Sequence, residues 1–237
     1  GCGFNKFGRA ADKRYSLGIV AVDPKLKKWL RWLEVIKREV QDLVMAKRTF
    51  HEIQQLIKDN PALHQSNSFY DYLSRTYVSH VVIGLRRQIK SGKDSISMAR
   101  MFEEMIESPQ ALTRSYYVGL YKDSVVKDFA DKDFNKFATP KAPHIDPTLV
   151  AADLTRLRDA SKRCEDFADK RVAHRDKRPP KELPTFNEVD ACIALLDELY
   201  VRYFMLFHAS HMDSLLPTRQ YDWKSIFCIP WIPQDAK

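Results

Sequence analysis

Apolar residues recur three or four positions apart from Pro24 to about Asp59: Leu26, Leu30, Leu33, Ile36, Val40, Leu43, Ile53 and Ile57. This spacing lines one face of a helix and predicts a single long rod, or a broken pair, of roughly 50 Å at 1.5 Å per residue. Asn60-Pro61 ends it. Further helical stretches are predicted over 68–90, 95–107, 109–138, 146–176 and 187–210, the 109–138 stretch being the least regular. Lys90-Ser91-Gly92, Thr139-Pro140-Lys141-Ala142-Pro143 and Arg178-Pro179-Pro180 punctuate them. Asp23-Pro24, Ser108-Pro109 and Asp146-Pro147 each pair a good N-cap with Pro at the first helical position, where its missing N–H costs nothing. Thr185-x-x-Glu188 is a capping box, and Asp94-Ser95 opens the helix after the glycine break. From Leu216 to Pro233 the period dissolves into an apolar, proline-containing tail with Trp223, Phe227 and Trp231, which reads as an extended cover packed on the body. No alternation of strand type stands out. The expectation is an all-α fold, a bundle of long antiparallel helices in one domain over 23–237, preceded by an N-terminal extension over 1–22.

The seam of the 146–176 helix changes character along its length. Leu157, Ala160, Cys164, Phe167 and Ala168 form an apolar stripe that continues, at helical spacing, into Arg171 and Arg175, with His174 on its margin. Either this helix runs past the edge of the bundle and its arginines snorkel into water, or the seam opens into a polar cleft or subunit interface. The 68–90 helix carries Val78, Val81, Val82, Leu85 and Ile89 on one face. Its other face reads Phe69, Leu73, Thr76, His80, Ile83 and Arg87, a pattern expected of a central helix. A cleft along that second face would be lined by His80 and Arg87. His80 taken alone reads as a hydrogen-bonded core histidine before a catalytic one. A buried Arg87 would need a carboxylate, with Asp169 or Asp176 as candidates.

Composition narrows the chemistry. Of 237 residues, 44% are hydrophobic and 30% charged, which is a folded chain and not a disordered one. Only 7 are Gly, too few for glycine-rich phosphate loops or a turn-rich β fold, so no cofactor is expected. The net charge of +8 is compatible with a nucleic-acid partner without requiring one. Cys2, Cys164, Cys192 and Cys228 form no C-x-x-C pair, and free thiols fit a reducing cytoplasm. No apolar run is long enough to cross a bilayer, so no membrane partner is expected. The opening Gly1-Cys2-Gly3, without Met, reads as a scar or a trimmed start. His208 and His211 stand three apart with Asp213 following, but no metal site is assigned.

Four segments follow one another in a recognisable order. An aromatic-rich helix ends in Gly84-Leu85-Arg86-Arg87, and after a short break comes Ser95-Ile96-Ser97-Met98-Ala99-Arg100-Met101. Later stand Asp169-Lys170-Arg171-Val172-Ala173-His174-Arg175-Asp176 and a tail with Tyr221-Asp222-Trp223-Lys224 and Pro230-Trp231. In this order, over about Phe69 to Trp231, the chain resembles the AbiU-like, abortive-infection branch of the HEPN superfamily (higher eukaryotes and prokaryotes nucleotide-binding domains). The resemblance implies a HEPN-like helical bundle, often a homodimer, with a role in phage defence or toxin–antitoxin biology. It also implies RNA or a nucleotide-bearing partner as what it binds, and a cognate antitoxin or a nucleotidyltransferase as a partner.

Ribonucleases of that superfamily use an Arg and a following His with four to six residues between them. Attack of a ribose 2′-OH on its phosphate needs a base, which imidazole supplies, and a cation for charge gathering on the phosphoryl oxygens, without a metal. Here the positions before His174 hold Asp169, Ala168 and Phe167, so the Arg is missing. The resemblance therefore implies His174 as acid/base with Arg171 or Arg87 standing in as phosphate stabiliser. Asp169 and Asp176 would hold the arginines, and Arg86, Arg175 and His80 would contribute to binding. Literal matches to the motif occur at Arg75 with His80 and at Arg202 with His208, at a density expected by chance. The alternative is a non-catalytic helical module in which the same residues form a dimer or partner interface.

Overall fold

The computed structural model describes residues 23–122, 124–173 and 176–231. Among the described residues seven α-helices run in order: α1 (Pro24–Asp59), α2 (Ser68–Ile89), α3 (Met98–Glu107), α4 (Arg114–Gly119), α5 (Ala130–Phe134), α6 (Pro147–Phe167) and α7 (Phe186–His208). Among the described residues there is no strand, only one isolated bridge between Thr113 and His144. The fold is all-α.

Several helix ends follow directly from local chemistry. Asp23 Oδ1 accepts the backbone N–H of Lys25, and Asp146 Oδ1 that of Thr148, each ahead of a Pro at the first helical position. Thr185 and Glu188 close the capping box reciprocally. α1 runs unbroken for 36 residues. Ser108-Pro109 behaves differently from expectation: no side-chain cap forms, and only a 3-10 turn over Pro109–Ala111 results. The helix expected over 109–138 is therefore two short ones, with α4 starting under a cap from Thr113 Oγ1 to the Tyr116 N–H. Ser97, not Asp94, caps α3.

Cross-helix contacts fix the register of the bundle. Glu39 meets Gln88, a methyl group added at Gly84 would lie 2.5 Å from Leu43 Cδ2, and Phe50 stacks on Tyr77, so α1 and α2 are antiparallel. Tyr203 bonds Asp153 and Cys192 faces Cys164, so α6 and α7 are antiparallel as well. Arg86 pairs with Asp169 and Lys90 with Glu165, which sets α2 against α6 in the same sense. α7 closes the ring on α1 through Lys47 Nζ and the Asp190 carbonyl. The long helices thus form an up-down-up-down four-helix arrangement. α3 packs across one end of it, with Phe102 against Tyr203 at 4.3 Å and Glu104 accepting the Trp29 indole N–H at 3.0 Å. The centre is apolar, with Leu33, Ile36, Val81, Val82, Leu85, Leu157, Leu196 and Leu199 fully buried.

Two expectations about faces change. The second face of α2 is turned outward: His80 and Arg87 are exposed and Phe69 is 47% exposed, so the helix has one buried side, not two. The apolar stripe of α6 does not run into Arg171. Past Phe167 the helix widens into a π turn over Ala168–Val172, in which the Ala173 N–H reaches back to the Ala168 carbonyl at 2.8 Å. That winding keeps Ala168 buried, packs Val172 on the core and leaves Arg171 exposed. The tail is partly as expected. Trp223 anchors on α1, while Ile226, Phe227, Ile229 and Trp231 remain largely exposed around a 3-10 helix over Trp223–Cys228.

Candidate functional site

Arg86 and Lys90 stand one turn apart at the end of α2; Glu165 and Asp169 stand one turn apart where α6 passes in the opposite direction. Two such pairs on antiparallel neighbours meet face to face. Arg86 Nε donates to Asp169 Oδ1, while Lys90 Nζ lies 3.1 Å from Asp169 Oδ2 and 2.6 Å from Glu165 Oε1. The basic pair also sits at the negative end of the α2 dipole, a favourable place for cations.

The four groups are half-buried, and two of them, Lys90 and Asp169, are moved from their ordinary values. Lys90 is raised above the ordinary lysine value, first by its hydrogen bond to Glu165, with burial opposing and Asp169 adding to the rise. For Asp169, burial pushes the carboxyl upward, but the bonds from Arg86 and Lys90 and the charges of both outweigh it and hold it below the usual range.

A polar cleft of about 410 Å³ adjoins this network, between the end of α2, the Ser91 link and α6. Lys90, Ser91, Arg158, Asp159, Lys162 and Glu165 line it. Arg158 reaches Ser91 Oγ at 3.4 Å and also pairs with Glu103. Lys162 is exposed and makes no ion pair among the described residues; the same holds for Arg171 on the π turn. The last turns of α6 therefore carry one neutralised cluster and two cations that the described residues leave without a counter-charge.

The residues singled out from sequence are distributed as follows. Arg86 and Asp169 meet directly. Arg87 does not reach Asp169 or Asp176: its Nε lies 3.2 Å from Glu39 Oε2 on α1, on the exposed side of α2. Asp176 accepts the Arg178 backbone N–H at 2.9 Å, and its own N–H donates to the Lys170 carbonyl at 3.1 Å, so it caps the π turn's exit. His80 is exposed. His174 and Arg175 lie outside the described residues. Of the literal motif matches, Arg202 is committed to Asp153, at 3.3 Å, and the His208 ring lies against Phe204.

Lys90, Glu165, Arg158 and Lys162 escaped the sequence reading. The signal was present as Arg86-x-x-x-Lys90 and Glu165-x-x-x-Asp169, complementary pairs at one-turn spacing on two helices that the order of the bundle places side by side.

No curated protein and no solved structure matches the chain. A family model does: the one described as AbiU2, of HEPN type, matches residues 26–225, from the first turn of α1 to the tail's 3-10 helix. With the match extending over most of its length, and over the all-α bundle just described, this chain belongs to the AbiU2 family of HEPN proteins, a family of abortive-infection type.

Proposed function

We propose that this AbiU2 protein acts in bacterial defence by binding RNA along the cationic last turns of α6, with His174 as the acid/base of a metal-independent cleavage. The observation that carries the reading is the pair of exposed cations, Lys162 and Arg171, which make no ion pair among the described residues and flank the Arg86–Asp169–Lys90–Glu165 network along the chain. Phosphates are bound by such cations, and a half-buried ion-pair network gives them a rigid support. Arg171 precedes His174 by about one helical turn, near enough in sequence for a guanidinium and an imidazole to address one phosphodiester. Arg87 is held by Glu39 on the outer side of α2 and is the weaker stand-in for the missing arginine. In a two-fold homodimer two such edges would line one composite cleft; the cytoplasm and a cognate antitoxin or nucleotidyltransferase complete the reading.

The test uses the full chain on mixed cellular RNA in the presence of a chelator, with solution mass measured on the same sample. Wild type cleaves, and His174→Ala still binds RNA but does not cleave. Lys162→Ala and Arg171→Ala each weaken binding to a labelled oligonucleotide, and each lowers the slope of log affinity against log salt by about one. Equal cleavage by wild type and His174→Ala overturns the catalytic assignment. Unchanged affinity in both lysine and arginine variants overturns the binding edge.

A non-catalytic interaction module is the second reading, and one feature favours it. Tyr221, Ile229 and Trp231 are 75%, 59% and 65% exposed, so the tail presents aromatic and aliphatic surface of the kind that partners cover. That reading gains if no RNA is cleaved while a complex forms that depends on Arg171 or Arg175.

A further inference from the structure

A second cleft, of about 420 Å³, lies between α1 and α7 and is closed on one side by the chain that follows α7. Its floor is apolar, formed by Val44, Ile193, Ala194 and Leu216. Its rim carries Lys47, Arg48 and His51.

The acceptors around this rim are already engaged. Asp190 Oδ2 lies 2.6 Å from His51 Nε2, and Oδ1 takes the Tyr77 hydroxyl at 3.3 Å. Asp197 accepts the Ser214 hydroxyl at 2.6 Å and the Leu215 N–H at 2.7 Å. Glu52 receives Arg48 Nε at 2.6 Å, and the Trp223 indole and Lys224 ammonium of the tail at 3.2 Å each. The donors are not used up in the same way. Lys47 has three protons and donates one, to the Asp190 carbonyl at 3.2 Å. Arg48 engages only its Nε among the described residues. His51 is different: with its Nε2–H turned to the Asp190 carboxylate, the neutral ring leaves Nδ1 as a lone pair, so it walls the cleft without donating to an anion.

Surplus donors above an apolar floor are what an organic anion requires, a charged head for the rim and a body for the floor. We propose that this cleft is a binding site for a small organic anion, its head group held by Lys47 and Arg48 and its apolar body seated on Ile193 and Ala194. The site shares no residue with the α2–α6 edge, so it stands or falls independently of RNA binding there. The tail forms part of the wall through Leu216 and is tied to Glu52, so an occupied cleft also holds the tail in place.

Phosphate esters and carboxylates share this chemistry, and calorimetric titration of the full chain with phenyl phosphate, benzoate and inorganic phosphate separates them. One-to-one, saturable binding of an aryl anion is expected, about tenfold or more tighter than inorganic phosphate, which has no body to bury. The tighter of phenyl phosphate and benzoate identifies the head group. Ala194→Phe fills the floor from an exposed position of α7, and Lys47→Gln with Arg48→Gln removes rim donors; each is expected to weaken binding about tenfold with the far-UV spectrum unchanged. RNA affinity is expected to be unaltered in Ala194→Phe. Absence of saturable binding by either aryl anion, or binding that survives both sets of substitutions, overturns the proposal.

Discussion

Asp153 and Asp169 belong to the same helical segment, and each is held by two cations, yet they are different devices. Asp153 is 4% exposed and faces α7, where it accepts the Tyr203 hydroxyl at 3.1 Å and pairs with Arg156 and Arg202 at 3.2 and 3.3 Å. Every partner comes from α6 itself or from α7, and the Tyr203 ring seals the site against Phe102. Asp169 faces α2 with its side chain 37% exposed, on a π turn beside an open polar cleft. The first carboxylate ties two helices together inside the protein. The second organises cations at a surface a ligand can reach. Depth, and not the number of partners, separates them: a charge pair that is desolvated is costly to break, while one in contact with water is cheap to rearrange.

Breaking the deeper site gives the largest expected effect. Asp153→Ala leaves the Tyr203 hydroxyl buried without its acceptor and the Arg202 guanidinium without its carboxylate, while Arg156 keeps Glu198, and is expected to cost about 2 kcal/mol in denaturant unfolding. RNA affinity measured below the unfolding transition should not change. Asp169→Asn is expected to do the reverse, costing about 1 kcal/mol while tightening RNA binding about threefold, because Arg86 loses its carboxylate and Lys90 keeps only Glu165. If Asp153→Ala alters RNA affinity and Asp169→Asn does not, the assignment of the two roles is wrong.

Acid sharpens the same contrast. The carboxyl of Asp169 is held below its ordinary value, so its stabilising contribution is complete above the unfolded value of about 3.9 and is lost as pH falls through the lower folded value. The stability gap between wild type and Asp169→Asn should therefore be constant at neutral pH and close only below about pH 4, as followed by urea unfolding across pH. The smallest effect is expected at Arg87→Ala. Its side chain is 55% exposed and its one ion pair among the described residues is with Glu39, so stability should shift within about 0.5 kcal/mol.

The sequence carried the helical frame well where the signals were local. The caps at Asp23, Asp146 and Thr185 satisfy N–H groups two or three residues away, so nothing distant was needed to read them. The failures have physical causes. Ser108-Pro109 has the same composition as a helix start, but its serine hydroxyl is engaged by Lys25 Nζ from α1, and only a short turn follows. The outward face of α2 looked like a second buried face because apolar residues such as Phe69 are free to sit at the surface, whereas buried charges are not free to go unpaired. The stripe from Cys164 to Arg171 assumed α-helical winding throughout, and a π turn breaks that assumption. For the candidate site, Arg86 and Asp169 were legible as residues but their pairing was not, and Lys90 and Glu165 were missed altogether.

By itself the sequence determined the all-α class, the positions of most long helices and the family, since helix periodicity, capping and segment order are written within short stretches of chain. Tertiary structure alone decided which charges meet. Arg86 and Arg87 are adjacent in sequence, yet a helix turns about 100° between neighbours, so one faces α6 and the other faces α1. The register of one rod against the next, set by packing around Leu43 and Gly84, makes that choice, and no local pattern contains it.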